Sequence, residues 1–84
     1  MASYKISIKR SAAKELEKIV LADRRRIIEK IRELASDPRP HGCKKLSGQE
    51  KYRLRQGDYR ILYEIHDDEL IIVLVKIGHR RDVY

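Results

Sequence analysis

Four cations fall on one side of a short ribbon. The stretch Lys51-Tyr52-Arg53-Leu54-Arg55-Gln56-Gly57-Asp58-Tyr59-Arg60 alternates basic and apolar residues and reverses at Gly57-Asp58. Gly at the first central position of a two-residue loop suits a type II′ hairpin turn. That turn pairs Gln56 with Tyr59, Arg55 with Arg60 and Arg53 with Leu62. Lys51, Arg53, Arg55 and Arg60 then share one face, and Tyr52, Leu54, Tyr59, Ile61 and Tyr63 share the other. A slip of one residue would mix the two sets, so the pattern itself selects the register. Like charges held this close repel unless they hold an anion.

The anion these residues suit is a phosphodiester. Cleaving RNA through its own 2′-hydroxyl takes one group to remove that proton and another to protonate the leaving 5′-oxygen. It also takes cations where charge builds on the phosphoryl oxygens. Arginine offers a planar fork for phosphate but is a poor base. The proton work therefore falls to His79, Tyr84 or Lys51, and charge stabilisation to Arg53, Arg60 and Arg80. Tyr84 could also stack on a splayed base.

The elements that must position these groups are legible in the periodicity. Tyr4, Ile6 and Ile8 alternate with polar residues and predict a half-buried first strand. Ser11 is a candidate N-cap for a helix whose stripe is Ala12, Ala13, Leu16, Ile19 and Val20. Asp23 is a candidate cap for a second helix, with stripe Ile27, Ile28, Ile31, Leu34 and Ala35, ending near Ser36-Asp37 before Pro38 and Pro40. The short connection between them predicts a helical hairpin. Residues 38–48 read as a loop, followed by strands at about 51–55 and 59–66. A tight turn at Asp67-Asp68 then leads into a last strand over 69–77, with His66 opposite Glu69 and Leu70, Ile72 and Leu74 on the helix side. That last strand is apolar on both faces, as a central strand is. Strict alternation along it carries His79 to the face of Arg60. The expected fold is α+β, β-α-α-β-β-β: a small, mostly antiparallel sheet with a helical hairpin packed on one face.

Composition narrows the partners. The 84 residues are expected to form one domain, 1–84, with a formal net charge of +7, which favours a polyanion, with acidic protein or anionic lipid also compatible. There is no apolar run of membrane-spanning length and no signal-peptide pattern, so the expected location is cytoplasmic, without a membrane partner. Cys43 is a single cysteine, which excludes an internal disulfide and reads as an ordinary thiol. No His, Cys, Asp or Glu spacing suggests a metal site, and no cofactor is expected. His41 and His66 read as solvated turn residues. Arg24, Arg25 and Arg26 open a helix against its dipole. With Lys44, Lys45 and Arg55 they are candidates for RNA-phosphate contact, or else for a solvated face.

Lys45-Leu46-x-Gly48, the block Tyr52-Arg53-Leu54-Arg55-x-Gly57-Asp58-Tyr59-Arg60-Ile61-Leu62-Tyr63, and the ending Gly78-His79-Arg80 with Tyr84 resemble the RelE/ParE toxin superfamily, RelE-like branch, over the whole chain. The resemblance implies a RelE-like microbial ribonuclease fold. It also implies a toxin of a type II toxin–antitoxin system that cuts mRNA in the ribosomal decoding site without a metal. The implied partners are an acidic antitoxin, the ribosome and mRNA, with DNA reached only through the antitoxin. The implied site is Lys51, Arg53, Arg60, Arg80 and Tyr84. Arg53 stands where Lys is common and His79 where many relatives have Lys. A ParE-like inhibitor of DNA gyrase and a non-catalytic RNA-binding module are the alternatives. On one point the resemblance and the alternation differ: alternation admits His79 to the cleft and the resemblance admits Arg80, with Gly78 a place where alternation could break.

Overall fold

The computed structural model describes residues 3–46 and 50–81. Along them run β1 (Lys5–Ile8), α1 (Arg10–Glu17), α2 (Leu21–Leu34), β2 (Lys44–Lys45), β3 (Lys51–Gln56), β4 (Tyr59–His66) and β5 (Ile71–His79). The strands form one sheet in the order β1-β5-β4-β3-β2. α1 packs on β5 and α2 on β3. The α+β architecture is the expected one: β2–β3, β3–β4 and β4–β5 pair antiparallel and β1 runs parallel to β5, Ile6 opposite Ile72, so the sheet is mostly antiparallel. One difference is local. The loop over 38–48 contains the two-residue strand β2, with Lys44 opposite Arg53 and Lys45 opposite Tyr52.

The β3–β4 hairpin has the register that its alternation dictates: Gln56 faces Tyr59, Arg55 faces Arg60 and Arg53 faces Leu62. Gly57 takes φ 59°, while Leu70 is the one non-glycine at positive φ among the described residues. The turn thus has its single positive φ at the first central position, as type II′ requires. Tyr52, Leu54, Ile61, Tyr63 and Ile65 are buried under the helices with Ile27, Ile31 and Leu34. Tyr63 is fully buried and donates its hydroxyl to the Pro38 carbonyl at 2.8 Å, which ties the chain leaving α2 to the sheet.

The helices start elsewhere than their candidate caps. α1 begins at Arg10 behind Lys9, and α2 at Leu21 behind Val20, neither with a side-chain cap. Asp23 lies inside the first turn of α2, where its carboxylate still meets the positive end of the dipole.

The β4–β5 connection is longer than expected. His66 pairs with Ile71, not Glu69. Residues 67–70 make the turn through Glu69 N–H to the His66 carbonyl and Leu70 N–H to the Asp67 carbonyl. Leu70 takes φ 54° and is 41% exposed, so it is not a core residue. Asp67 is drawn into a clasp instead. Arg39 donates to both its carboxylate oxygens at 3.4 and 2.9 Å, and Tyr4 donates to it at 2.6 Å. Arg39 Nε also reaches the Tyr52 hydroxyl at 3.1 Å. Its bonds to Arg39 and Tyr4 hold the Asp67 carboxyl below its ordinary value.

Halfway along β5 the register shifts. Tyr63 faces Leu74, but Leu62 faces Lys76, leaving Val75 as an extra residue. Such a bulge inverts the faces of everything after it. Ile77, expected on the open face, is therefore opposite Ile61 and 1% exposed in the core.

Candidate functional site

The face of the sheet away from the helices has a cationic end built by four strands, β2 to β5. Cross-strand partners share a face, so Arg55 and Arg60 stand side by side, with Arg53 one step along β3 and Lys44 beside it on β2. Gly78 lies opposite Arg60. A glycine there leaves the space over Arg60 open, and Arg80, the next residue on that face, follows it. Arg80 N–H bonds the Asp58 carbonyl at 2.8 Å, fixing the end of β5 to the hairpin turn. A pocket of about 80 Å³ is lined by Arg55, Gly57, Tyr59, Arg60 and Arg80. It has room for several water-sized groups, which suits a phosphoryl group. A second pocket, of about 180 Å³, is lined by Gly42, Lys44, Arg53 and Arg55, so Arg55 borders both.

Burial first, then the neighbouring charges of Arg55, Arg53 and Arg80, hold the Arg60 guanidinium below its ordinary value. It remains a cation at neutral pH. Elsewhere several cations have acids beside them: Lys45 with Glu50 at 3.1 Å, Lys76 with Glu15 at 3.0 Å and Arg39 with Asp67 at 2.9 Å. Among the described residues Lys44, Arg53, Arg55 and Arg80 enter no such ion pair. These four cations gather where the two pockets adjoin.

The structure brings together Arg53, Arg55, Arg60, Arg80 and Lys44. It does not bring His79 to them. His79 faces Tyr59 on the helix side, its ring edge-on at 5.8 Å and 79°. Its Nδ1 accepts the Arg81 N–H at 3.2 Å, which leaves Nε2 as the protonated nitrogen of the neutral ring. The cause is Val75: the bulge exchanges the faces of His79 and Arg80, so the expected placement of His79 is corrected and Arg80 takes it. Lys51 keeps its face but lies at the other end. Four residues from Arg55 at about 3.3 Å each set it about 13 Å away along β3, opposite Glu64 with Nζ 3.9 Å from Oε2. His66, expected to be solvated, also reaches Glu64, at 3.1 Å.

The other cationic candidates separate. Lys45 points with Tyr52 to the helix side and is held by Glu50. Arg24 is half-buried and its Nε donates to the Ile19 carbonyl at 3.3 Å, closing the end of the first helical segment. Arg25 and Arg26 are exposed on α2, across the sheet from Arg60. Tyr84 and Gly48 lie outside the described residues. Sequence reasoning missed Gly42, the Asp58 carbonyl and the bulge. The one local signal for the bulge is Lys76, a charge interrupting the apolar run from Ile71 to Ile77.

Residues 6–84 match the family described as the ParE toxin of the type II toxin–antitoxin system, parDE. An Escherichia coli RelE-like toxin protein is 28% identical over 96% of this chain and 90% of its own length. Among solved structures, the archaeal RelE–RelB complex of Pyrococcus horikoshii OT3 superimposes with a TM-score of 0.85 at 30% identity, covering 93% of this chain and 96% of that one. The RelBE2 toxin–antitoxin complex of Mycobacterium tuberculosis gives 0.84 at 25% identity, covering 95% and 94%.

Proposed function

The chain belongs to the ParE toxin family of type II toxin–antitoxin systems, on the RelE-like side of the RelE/ParE superfamily, and from that premise we propose that it arrests translation as a metal-independent endoribonuclease, cutting mRNA in the decoding site of the ribosome. The observation that carries this reading is the Arg55–Arg60–Arg80 pocket with the Lys44–Arg53–Arg55 pocket beside it. An RNA backbone crossing the strands from β5 to β2 places one phosphate in each.

In this mechanism the protein supplies charge and geometry, and the attacking nucleophile is the RNA's own 2′-hydroxyl. Arg60 and Arg80 converge on the scissile phosphate, where negative charge builds as the 2′-oxygen attacks. Fixed cations at that point act most strongly because the site is partly closed to water. Arg55 spans to the next phosphate, and Arg53 and Lys44 hold it. Arginine is unsuited to removing the 2′-proton, and His79 faces the other side of the sheet. Removal of the 2′-proton is therefore assigned to Tyr84, four residues beyond Arg80 and within chain reach of it, and the leaving 5′-oxygen takes its proton from solvent water. Lys51 serves as a contact for the backbone farther along. The same cationic face is what an acidic antitoxin would cover. The RelE–RelB complexes superimpose on this chain over nearly its full length, and a RelB-type partner would neutralise a surplus of +7. Cytoplasmic action follows from the ribosomal target, with DNA reached only through the antitoxin.

The ParE name of the matching family favours one competitor, inhibition of DNA gyrase by protein contact alone. Expression without the antitoxin separates the two. The ribonuclease reading expects growth arrest with mRNA cut within codons at the decoding site. Arrest with intact mRNA and gyrase-dependent DNA breaks would replace it with the gyrase reading.

A further inference from the structure

β1 ends at Ile8, and its pairing with β5 ends with it, opposite Leu74. Lys9 N–H still bonds the Leu74 carbonyl at 3.0 Å, and the chain then turns into α1. Beyond Leu74 no strand borders this edge of β5 among the described residues. Backbone groups on such an edge need another partner. Glu15 of α1 supplies it with both oxygens. Oε1 accepts the Ile77 N–H at 3.1 Å and Oε2 accepts Lys76 Nζ at 3.0 Å. Lys76 and Ile77 are the first two residues after the extra residue Val75.

We propose that Glu15 is a positioning residue for the arginine pocket: its carboxylate holds β5 in the bulged register, and so sets Arg80 rather than His79 beside Arg60. The competing register is defined by the sequence. Without the bulge, the open-face alternation of Ile71, Val73 and Val75 continues to Ile77 and His79 and turns Arg80 to the helix side. The ion pair to Lys76 is half-exposed and contributes little on its own. The directional bond is the one to the Ile77 amide, a charge-assisted contact that only the bulged strand presents to α1.

The experiment uses Glu15→Leu, Glu15→Gln, Lys76→Met and Arg80→Ala in the full chain. Two-dimensional NMR follows the cross-strand contact of residues 61 and 77 and the ring contact of Tyr59 with His79. Anisotropy with a short fluorescein-labelled oligouridylate, well below the unfolding midpoint, gives affinity. Glu15→Leu loses the 61–77 contact and weakens binding about tenfold, as loss of one charged contact does, and adds nothing to Arg80→Ala. Glu15→Gln keeps the amide acceptor and Lys76→Met keeps the carboxylate, so both stay within about twofold of the parent. Glu15→Asp, one methylene short, shows the same loss in smaller measure and serves if Glu15→Leu does not fold. The proposal is overturned if Glu15→Leu or Glu15→Asp retains both NMR contacts and parental affinity, or if its loss adds to that of Arg80→Ala. Only the binding readout rests on the ribonuclease reading. If Arg80→Ala leaves oligouridylate affinity unchanged, that reading fails while the 61–77 contact still decides the role of Glu15.

Discussion

Replacing Arg55 by Gln tests the phosphate track quantitatively. Five cations line the two adjoining pockets: Lys44, Arg53, Arg55, Arg60 and Arg80. Each phosphate neutralised on a single strand contributes about 0.7 to the slope of log K against log salt, so one phosphate in each pocket gives a slope of about −1.4 and a fourfold rise in salt weakens binding about sevenfold. Arg55 borders both pockets, so Arg55→Gln flattens the slope by up to about 0.7. Arg32→Gln, on α2 beside Glu29, leaves it unchanged. The assay is fluorescence anisotropy with single-stranded RNA across a salt series. The same variant should melt at a higher temperature, because Arg55 faces Arg60 directly and like charges in that position destabilise a sheet. A slope near zero in the parent protein, or an Arg55→Gln slope equal to the parent's, would refute the track.

Inserting one alanine between Ile77 and Gly78 keeps the core but returns Arg80 to the helix side. It should abolish toxicity as fully as Arg80→Ala, read by growth on induction, with circular dichroism confirming the fold. Deleting Val75 removes the bulge while leaving both halves of β5 in their present pairing, so Arg80 stays in place and toxicity survives. Tyr63→Phe leaves the Pro38 carbonyl without its donor. It should cost about 1 kcal/mol, about 4–8 °C in melting temperature for a domain of this size, with RNA affinity unchanged. Acid should open the Arg39 clasp. Asp67 is held below its ordinary 3.8 by Arg39 and then Tyr4, and Glu50 below 4.5 by Lys45 and then Tyr52. Groups lowered on folding stabilise above those values and lose that contribution as pH falls through the folded ones. Melting temperature should therefore fall below about pH 4, and Arg39→Met should flatten the profile.

The hairpin was readable because its two faces differ in chemistry: cations at 51, 53, 55 and 60 leave only one register that buries Tyr52, Leu54 and Ile61. β5 offers no such contrast. Ile71 through Val75 are apolar on both faces, so a one-residue shift leaves only the charge of Lys76 as a trace, and alternation alone exchanges the faces of His79 and Arg80, whereas the resemblance admits Arg80. β2 is illegible for another reason: two lysines carry no period, and their extended form comes from pairing with β3. The clasp at Arg39 joins residues 28 positions apart, beyond any local signal. Leu70 and the longer β4–β5 turn follow from it, since Asp67 serves Arg39 and Tyr4 instead of a tight turn.

The central claim is that the Arg60–Arg80 pocket cuts RNA on the ribosome. Purified protein, programmed ribosomes and end-labelled mRNA test it directly, with cleavage mapped by primer extension. The parent protein should cut within the codon in the decoding site, without added metal-dependent nuclease, and Arg60→Ala and Arg80→Ala should bind ribosomes yet leave the message intact. Uncut mRNA with the parent protein, or full cutting by both variants, would contradict the account.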